Sequence, residues 1–157
     1  MKITFLVMGR TDEQFLREGI DKYVKRLSHY TKLELIEHHL SGKPTGSSPA
    51  LLKEKEAEIQ LKYIGLADYC VLLDERGQSF TSVEFAGFVQ QQMNRSVKRL
   101  LFIAGGAWGF EKSVYQKADF KLSLSAMTFS HQMVRLFFVE QLYRAFSILR
   151  NEAYHNG

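Results

Sequence analysis

Apolar and polar positions fall into blocks whose period switches repeatedly between that of a buried strand and that of a helix. Lys2 to Met8 is a compact apolar run with β-branched members, which predicts a first buried strand. Gly9-Arg10-Thr11-Asp12 reads as a turn ending in helix-capping residues. From there to about His29, Leu16, Ile20, Tyr23, Val24 and Leu27 recur at i, i+4, i+7, i+8 and i+11, the pattern of an amphipathic helix. Lys32 to Glu37 alternates as a second strand. Ser41 to Pro49 holds both prolines and reads as a mobile surface loop rather than a domain boundary. Pro49 suits the start of a helix that continues to Gly65, read as its C-terminal cap. Tyr69 to Leu73 is a strand followed by the turn DERGQ, and Ser82 to Met93 a helix. Arg99 to Ala104 is a fourth strand, Glu111 to Lys117 a short helix, and Phe120 to Leu124 a fifth strand. Helices alternating with apolar strands predict an α/β fold, a mostly parallel sheet with helices on both faces, in one domain spanning residues 1–157.

The last third, Leu122 to Arg150, carries the densest signal. It passes from a short strand through a Ser- and Thr-rich turn into a helix that is apolar on nearly every side. A surface helix keeps a wet face, so this pattern predicts burial by the chain's own domain on one side and by a second subunit on the other. His131 and Arg135 are spaced i, i+4 and share a face, expected beside a pocket. Glu140 and Arg144 have the same spacing and read as an ion pair rather than as catalytic groups.

Composition narrows the class. At 157 residues, 45% hydrophobic and 13% aromatic, the chain can bury a substantial core. No apolar run is long enough to cross a membrane. The first residues read as a strand rather than a signal peptide, and the lone Cys70 cannot form an intramolecular disulfide. These features predict a cytoplasmic protein. A net charge of +4 mildly favours an anionic partner such as nucleic acid.

Candidate chemistry concentrates at three strand ends, where ligands of open parallel sheets bind: LLDERGQ from Leu72, IAGGAWG from Ile103 and LSLSAMTFSH from Leu122. Gly105 to Gly109 matches neither a Walker loop nor the dinucleotide fingerprint. It reads either as a tight turn or as a wall of backbone groups beside an adenosine-sized ligand, and Trp108 as a base-stacking platform or a packing residue. Asp74, Glu75 and Arg76 read as a solvated turn, or as a carboxylate near a sulfonium or ribose hydroxyl. Ser123, Ser125 and Thr128 have the plain reading of turn and cap residues. His29, His38 and His39 lack metal-ligand spacing, so no metal is expected. Cys70 reads as a small core residue. Tyr154 and His155 follow the long helix as a frayed tail, or fold back, or reach a neighbouring subunit's pocket.

LLDERG, FIAGGAWG, the block LSLSAMTFSHQMVRLFFVEQLYRAFSILRNEAYH and the opening MKITFLVMG together resemble the bacterial large-subunit rRNA methyltransferases that act on a pseudouridine, small members of the SPOUT superfamily. The resemblance runs in order along essentially the whole chain. It implies an α/β fold with a C-terminal trefoil knot, a homodimer with the knot at its interface, and S-adenosylmethionine held bent by mostly backbone contacts. Matching the motifs residue by residue assigns the cofactor to Leu73, Gly105, Leu124, Ser125, Ala126, Met127, Thr128 and Phe129. The implied reaction is methyl transfer to N3 of a pseudouridine in a stem-loop of 23S rRNA, on the assembled ribosome. Members of that family usually carry Pro where this chain has Ser130, and often end in Lys or Arg where it has Asn156-Gly157.

The resemblance implies in-line attack of the base nitrogen, with proximity and orientation as the main contribution. His131 and His155 are candidates to handle the N3 proton, Arg135 to stabilise negative charge or hold phosphate, and Tyr154 to position the base. Two rival functions stand beside this one: a nucleotide-binding enzyme using the glycine loop for phosphate, and a ribosome-binding assembly factor without catalysis.

Overall fold

The computed structural model describes residues 1–40 and 48–156; residues 41–47, most of the loop expected over 41–49, and residue 157 lie outside the described residues. The elements in order are β1 (Lys2–Met8), α1 (Gln14–Leu27), β2 (Lys32–His38), α2 (Pro49–Leu66), β3 (Tyr69–Ser79), α3 (Ser82–Asn94), β4 (Arg99–Ala104), α4 (Lys112–Lys117), β5 (Phe120–Ser123) and α5 (Met133–Leu149). The strands form one sheet in the order β2-β1-β4-β3-β5, and every pairing is parallel. No helix among the described residues is long and apolar enough to cross a membrane.

Period-two alternation sorts the strand side chains between two cores. Ile3, Phe5, Val7, Val71, Leu73, Leu100, Phe102 and Ala104 face the side covered by α1, α3 and α5. Leu6, Met8, Cys70, Leu72, Leu101 and Ile103 face α2 and α4. Both faces are therefore buried, which is why the strands read as continuous apolar runs. Phe138 of α5 is fully buried, with ring centroids 4.5 Å from Phe5 and 4.7 Å from Phe102. Burying such a ring contributes about 2–3 kcal/mol. Burial pushes the Cys70 thiol up to about 12, as befits a core residue.

Local chemistry sets several boundaries differently from the pattern. The α2 helix runs past Gly65 to Leu66 and ends when Ala67 turns extended, sending the Asp68 amide to the carbonyl of Arg99, the first residue of β4. Thr11 and Asp12 do not cap α1: Glu13 is the N-cap, with no side-chain bond, because the Thr11 hydroxyl is bound to Glu37 and Arg135. The expected DERGQ turn belongs to β3. Leu73 and Gln78 both stand opposite Leu122, so Asp74 to Gly77 form a bulge that bows over the strand end before pairing resumes. Gly77 is required there, since a Cβ would lie 2.6 Å from the Lys121 carbonyl carbon and oxygen of β5.

Helix α5 packs on α1 and α3 as well as on the sheet, so its own chain covers more of it than its composition suggests. Phe137 remains 37% exposed, with its ring 4.7 Å from that of Phe129.

Candidate active site

At the carboxyl ends of the adjacent strands β4, β3 and β5, the three expected loops enclose a cavity of about 530 Å³, within the range of small-molecule sites. Strand β3 and its bulge supply Leu73, Asp74, Glu75 and Arg76, the end of β4 and the glycine loop supply Ala104 to Phe110, and the end of β5 with the chain after it supplies Leu122 to Ser125 and Met127 to His131. Of the residues assigned to a cofactor by motif, Leu73, Gly105, Leu124, Ser125, Met127, Thr128 and Phe129 line the cavity. Ala126 is exposed and does not.

Backbone geometry shapes the floor. Gly109 adopts φ +78°, and its amide donates to the Gly106 carbonyl at 3.2 Å, closing a tight turn. A side chain at Gly105 would press on the Phe110 ring, with Cβ at 3.3 Å. Trp108, held out on this turn, is 57% exposed at the cavity wall. After β5 the Ser123 hydroxyl donates to the Ser125 carbonyl at 2.8 Å, and the Ser125 hydroxyl accepts from the Met127 amide at 3.0 Å. The serines thus fold the loop by satisfying its own backbone. Ser130 accepts from the amide of Met133 through its hydroxyl at 3.2 Å and from that of Val134 through its carbonyl at 3.1 Å. It holds the start of α5 by hydrogen bonds.

Two carboxylates face the cavity. Asp74 accepts from the Tyr115 hydroxyl and, at 2.8 Å, from the Arg76 amide. Burial, then that bond to Asp74, raises the Tyr115 pKa, so Tyr115 stays a neutral donor. Glu75 accepts from the Thr128 hydroxyl at 3.0 Å and ties the bulge to the third loop. Tyr115 is a site residue that sequence reading missed; its only signal was an aromatic one turn into the short helix behind the glycine loop.

His131 lines the cavity, in the turn before α5. Burial first, and the Arg135 charge second, lower its pKa, against a smaller opposing effect of Asp12. Neighbouring Gln132 is pinned: its Oε1 accepts from the Asp12 amide and its Nε2 donates to the Arg10 carbonyl, both at 2.9 Å. The same Nε2 lies 3.5 Å from His131 Nε2.

Arg135, expected beside the pocket, is turned away from it. It is 1% exposed and donates to the carbonyls of Met8 at 2.7 Å and Gly9 at 3.0 Å, and to the Thr11 hydroxyl at 3.0 Å. Thr11 in turn donates to Glu37 from its amide and hydroxyl, each at 3.1 Å. The guanidinium fastens α5 to the carboxyl end of β1, where carbonyls left over by the sheet need donors.

Tyr154 and His155 do not meet His131 within one chain. Helix α5 ends in a Schellman motif: Asn151 at φ 55°, its amide on the Ile148 carbonyl at 3.0 Å and the Glu152 amide on the Ser147 carbonyl at 2.9 Å. That turn folds the tail back along α5. The Tyr154 hydroxyl donates to Glu140 at 3.0 Å and lies 3.2 Å from the Tyr23 hydroxyl. Burial, then these bonds, raise its pKa and keep the phenol protonated. Arg144 pairs with Glu140 at 2.5 Å, as its spacing predicts, and lies 3.1 Å from His155 Nδ1. Arginine only donates, so Nδ1 accepts and the ring proton sits on Nε2.

Relatives of this chain are numerous. The family model described as "Predicted SPOUT methyltransferase" matches residues 1–155. The chain is 50% identical, over 99% of each sequence, to the Flavobacterium johnsoniae protein named ribosomal RNA large subunit methyltransferase H. It is 47% identical to the Parabacteroides distasonis protein of the same name, again over 99% of each. Among solved structures, a methylase family protein of Haemophilus influenzae superposes with a TM-score of 0.55 at 12% identity, over 99% of this chain and 70% of that one.

Proposed function

The chain belongs to the SPOUT methyltransferase family, and from that premise we propose that it methylates N3 of a pseudouridine in large-subunit ribosomal RNA, using S-adenosylmethionine. The observation that carries the reading is the cavity itself: three consecutive strand ends meet there, with backbone exposed at Gly105, Gly106 and Gly109 beside the Trp108 ring and two carboxylates in the wall. Carboxylates beside open backbone groups suit a ligand that carries positive charge on sulfur and nitrogen together with an adenosine. Leu73, Gly105, Leu124, Ser125 and Thr128 would hold it, and bound there it supplies an electrophilic methyl group.

The residues of the chain do the rest by placement. As the new N–CH3 bond forms, the N3 proton of the base must leave, and His131 stands in the cavity wall as a neutral imidazole able to accept it. Arg135 acts through others: it fixes the turn after β1, and its charge helps keep His131 unprotonated. His155, with its proton on Nε2, and Tyr154 are hydrogen-bond donors suited to orienting a base.

In one chain that pair lies along α5 at Glu140 and Arg144, about 10 Å up the helix from its first turn at a rise of 1.5 Å per residue. They reach a cavity only in a homodimer, where the tail of one protomer meets the site of the other. The exposed Phe137, with the half-buried Phe129 against it, is the apolar surface such a partner covers. The trefoil knot, with the segment after β5 threaded past the glycine loop, belongs to the same proposal.

The test is methyl transfer from radiolabelled S-adenosylmethionine to ribosomes lacking the modification, to isolated large subunits and to naked rRNA. Label in the large-subunit RNA of ribosomal particles is expected. No label in any of the three, under conditions where a relative is active, would refute the reading and favour an assembly factor.

A further inference from the structure

Along α1 and α5, away from the cavity, cations rest on tyrosine rings instead of carboxylates. The Arg26 guanidinium carbon lies 5.6 Å from the Tyr23 ring centroid and 5.5 Å from that of Tyr143. The Arg150 guanidinium lies 4.9 Å from the Tyr30 ring. The rings brace one another, Tyr23 to Tyr143 at 5.8 Å and Tyr30 to Tyr143 at 5.9 Å between centroids. Ion pairs among the described residues join Lys2 to Glu34, Arg76 to Asp74, Arg99 to Asp68 and Arg144 to Glu140, and none engages Arg26 or Arg150. The acids nearby are engaged otherwise: Glu140 by Arg144 and Tyr154, Glu152 by the Tyr30 hydroxyl.

A guanidinium held over a ring keeps its charge and its N–H donors. That combination suits a phosphate backbone and unstacked bases, the features by which single-stranded RNA loops are bound. We infer that Arg26 over Tyr23 and Tyr143, with Arg150 over Tyr30, forms the docking surface for the RNA substrate. The inference rests on the function proposed above and names the surface that serves it. The surface runs into the tail, because the Tyr143 and Tyr154 rings stand 4.7 Å apart. RNA held here lies against the residues that complete the second protomer's site.

The experiment is sedimentation binding of the full-length protein to unmodified 70S ribosomes across a salt series. It compares wild type, R26A/R150A, R26K/R150K and K62A, the last on α2 across the sheet. For R26A/R150A we expect at least a tenfold loss of affinity near physiological salt. The slope of log affinity against log salt should fall by about 1.4, at roughly 0.7 for each phosphate no longer neutralised. R26K/R150K should recover the slope but not the full affinity, and K62A should match wild type. Unchanged melting temperature and S-adenosylmethionine affinity by calorimetry would place the loss at the RNA surface. R26A/R150A binding and salt slope equal to wild type would overturn the surface while leaving the methyltransferase reading intact. A change in oligomeric state caused by R26A/R150A would overturn it too, by making this face a contact between copies. Wild-type protein that neither binds nor methylates the ribosomes would overturn both.

Discussion

Gly77 is the position where the fold and the site depend most directly on the same missing atom. Replacing it with Ala places a Cβ 2.6 Å from the main-chain carbon and oxygen of Lys121 and 2.7 Å from the Leu122 nitrogen, where ordinary contact begins at 3.4 Å. Those are backbone atoms of β5 and cannot rotate aside, so the strand must retreat. The φ of Gly77 is not left-handed, so the whole effect is steric. Overpacking of this kind costs about 1–3 kcal/mol. Weakening the resumed pairing of Gln78 with Leu122 and Ser79 with Ser123 adds about 1 kcal/mol. For a chain of this length the sum lowers Tm by roughly 5–15 °C. Because β5 carries Ser123 and leads into Leu124 and Ser125, S-adenosylmethionine affinity should fall at least tenfold as well. Gly65→Ala is the control: nothing lies within 4 Å of the new Cβ, inside a helix, so it should stabilise by about 0.5–1 kcal/mol. Scanning calorimetry and isothermal titration read both quantities. A G77A protein with wild-type Tm and cofactor affinity would refute the steric role assigned to the bulge.

The same geometry sets other expectations. The single-turnover rate should stay level as pH falls to the ordinary imidazole value of about 6.5 and decline only below it, because His131 is held neutral; H131A should lower the rate and remove the decline. The depressed pKa also has a sign for stability: the unfolded chain binds the proton more readily, so stability is full above about 6.5 and erodes as pH falls. H131A should flatten that stretch of the Tm against pH curve. Arg135→Met strips donors from the Met8 and Gly9 carbonyls and from Thr11, a loss of about 3 kcal/mol or more in urea unfolding. Tyr115→Phe removes the donor on Asp74 and should cost about 1 kcal/mol of stability while shifting cofactor affinity several-fold by calorimetry.

The sheet and most elements were legible because strands buried on both faces read as unbroken apolar runs, and because Leu16 to Leu27 keeps a helical period. The convergence of the three loops was legible as well, since parallel strands put their carboxyl ends on one edge. What escaped were arrangements made by single hydrogen bonds or single contacts. DERGQ looks like any polar turn, and only the meeting of Gly77 with β5 shows that it is a bulge inside a strand. The i, i+4 spacing of His131 and Arg135 suggests one functional face. His131 precedes the helix, however, and Arg135 is drawn to carbonyls from residues more than a hundred positions away. Asn151, a residue that tolerates left-handed φ, is the one sign of the Schellman turn, yet that turn decides that Tyr154 folds back onto Glu140.

The identity of one modified nucleotide tests the proposed chemistry most directly. Large-subunit RNA recovered from ribosomes treated with the protein and isotopically labelled S-adenosylmethionine would be digested and its nucleosides separated by mass spectrometry. The expected product is a single labelled species, pseudouridine methylated at N3, formed more slowly when H131A replaces the wild type under single-turnover conditions. Label on a different nucleoside, or on the carbon or ribose oxygen of a pseudouridine, would contradict the chemistry assigned to this site.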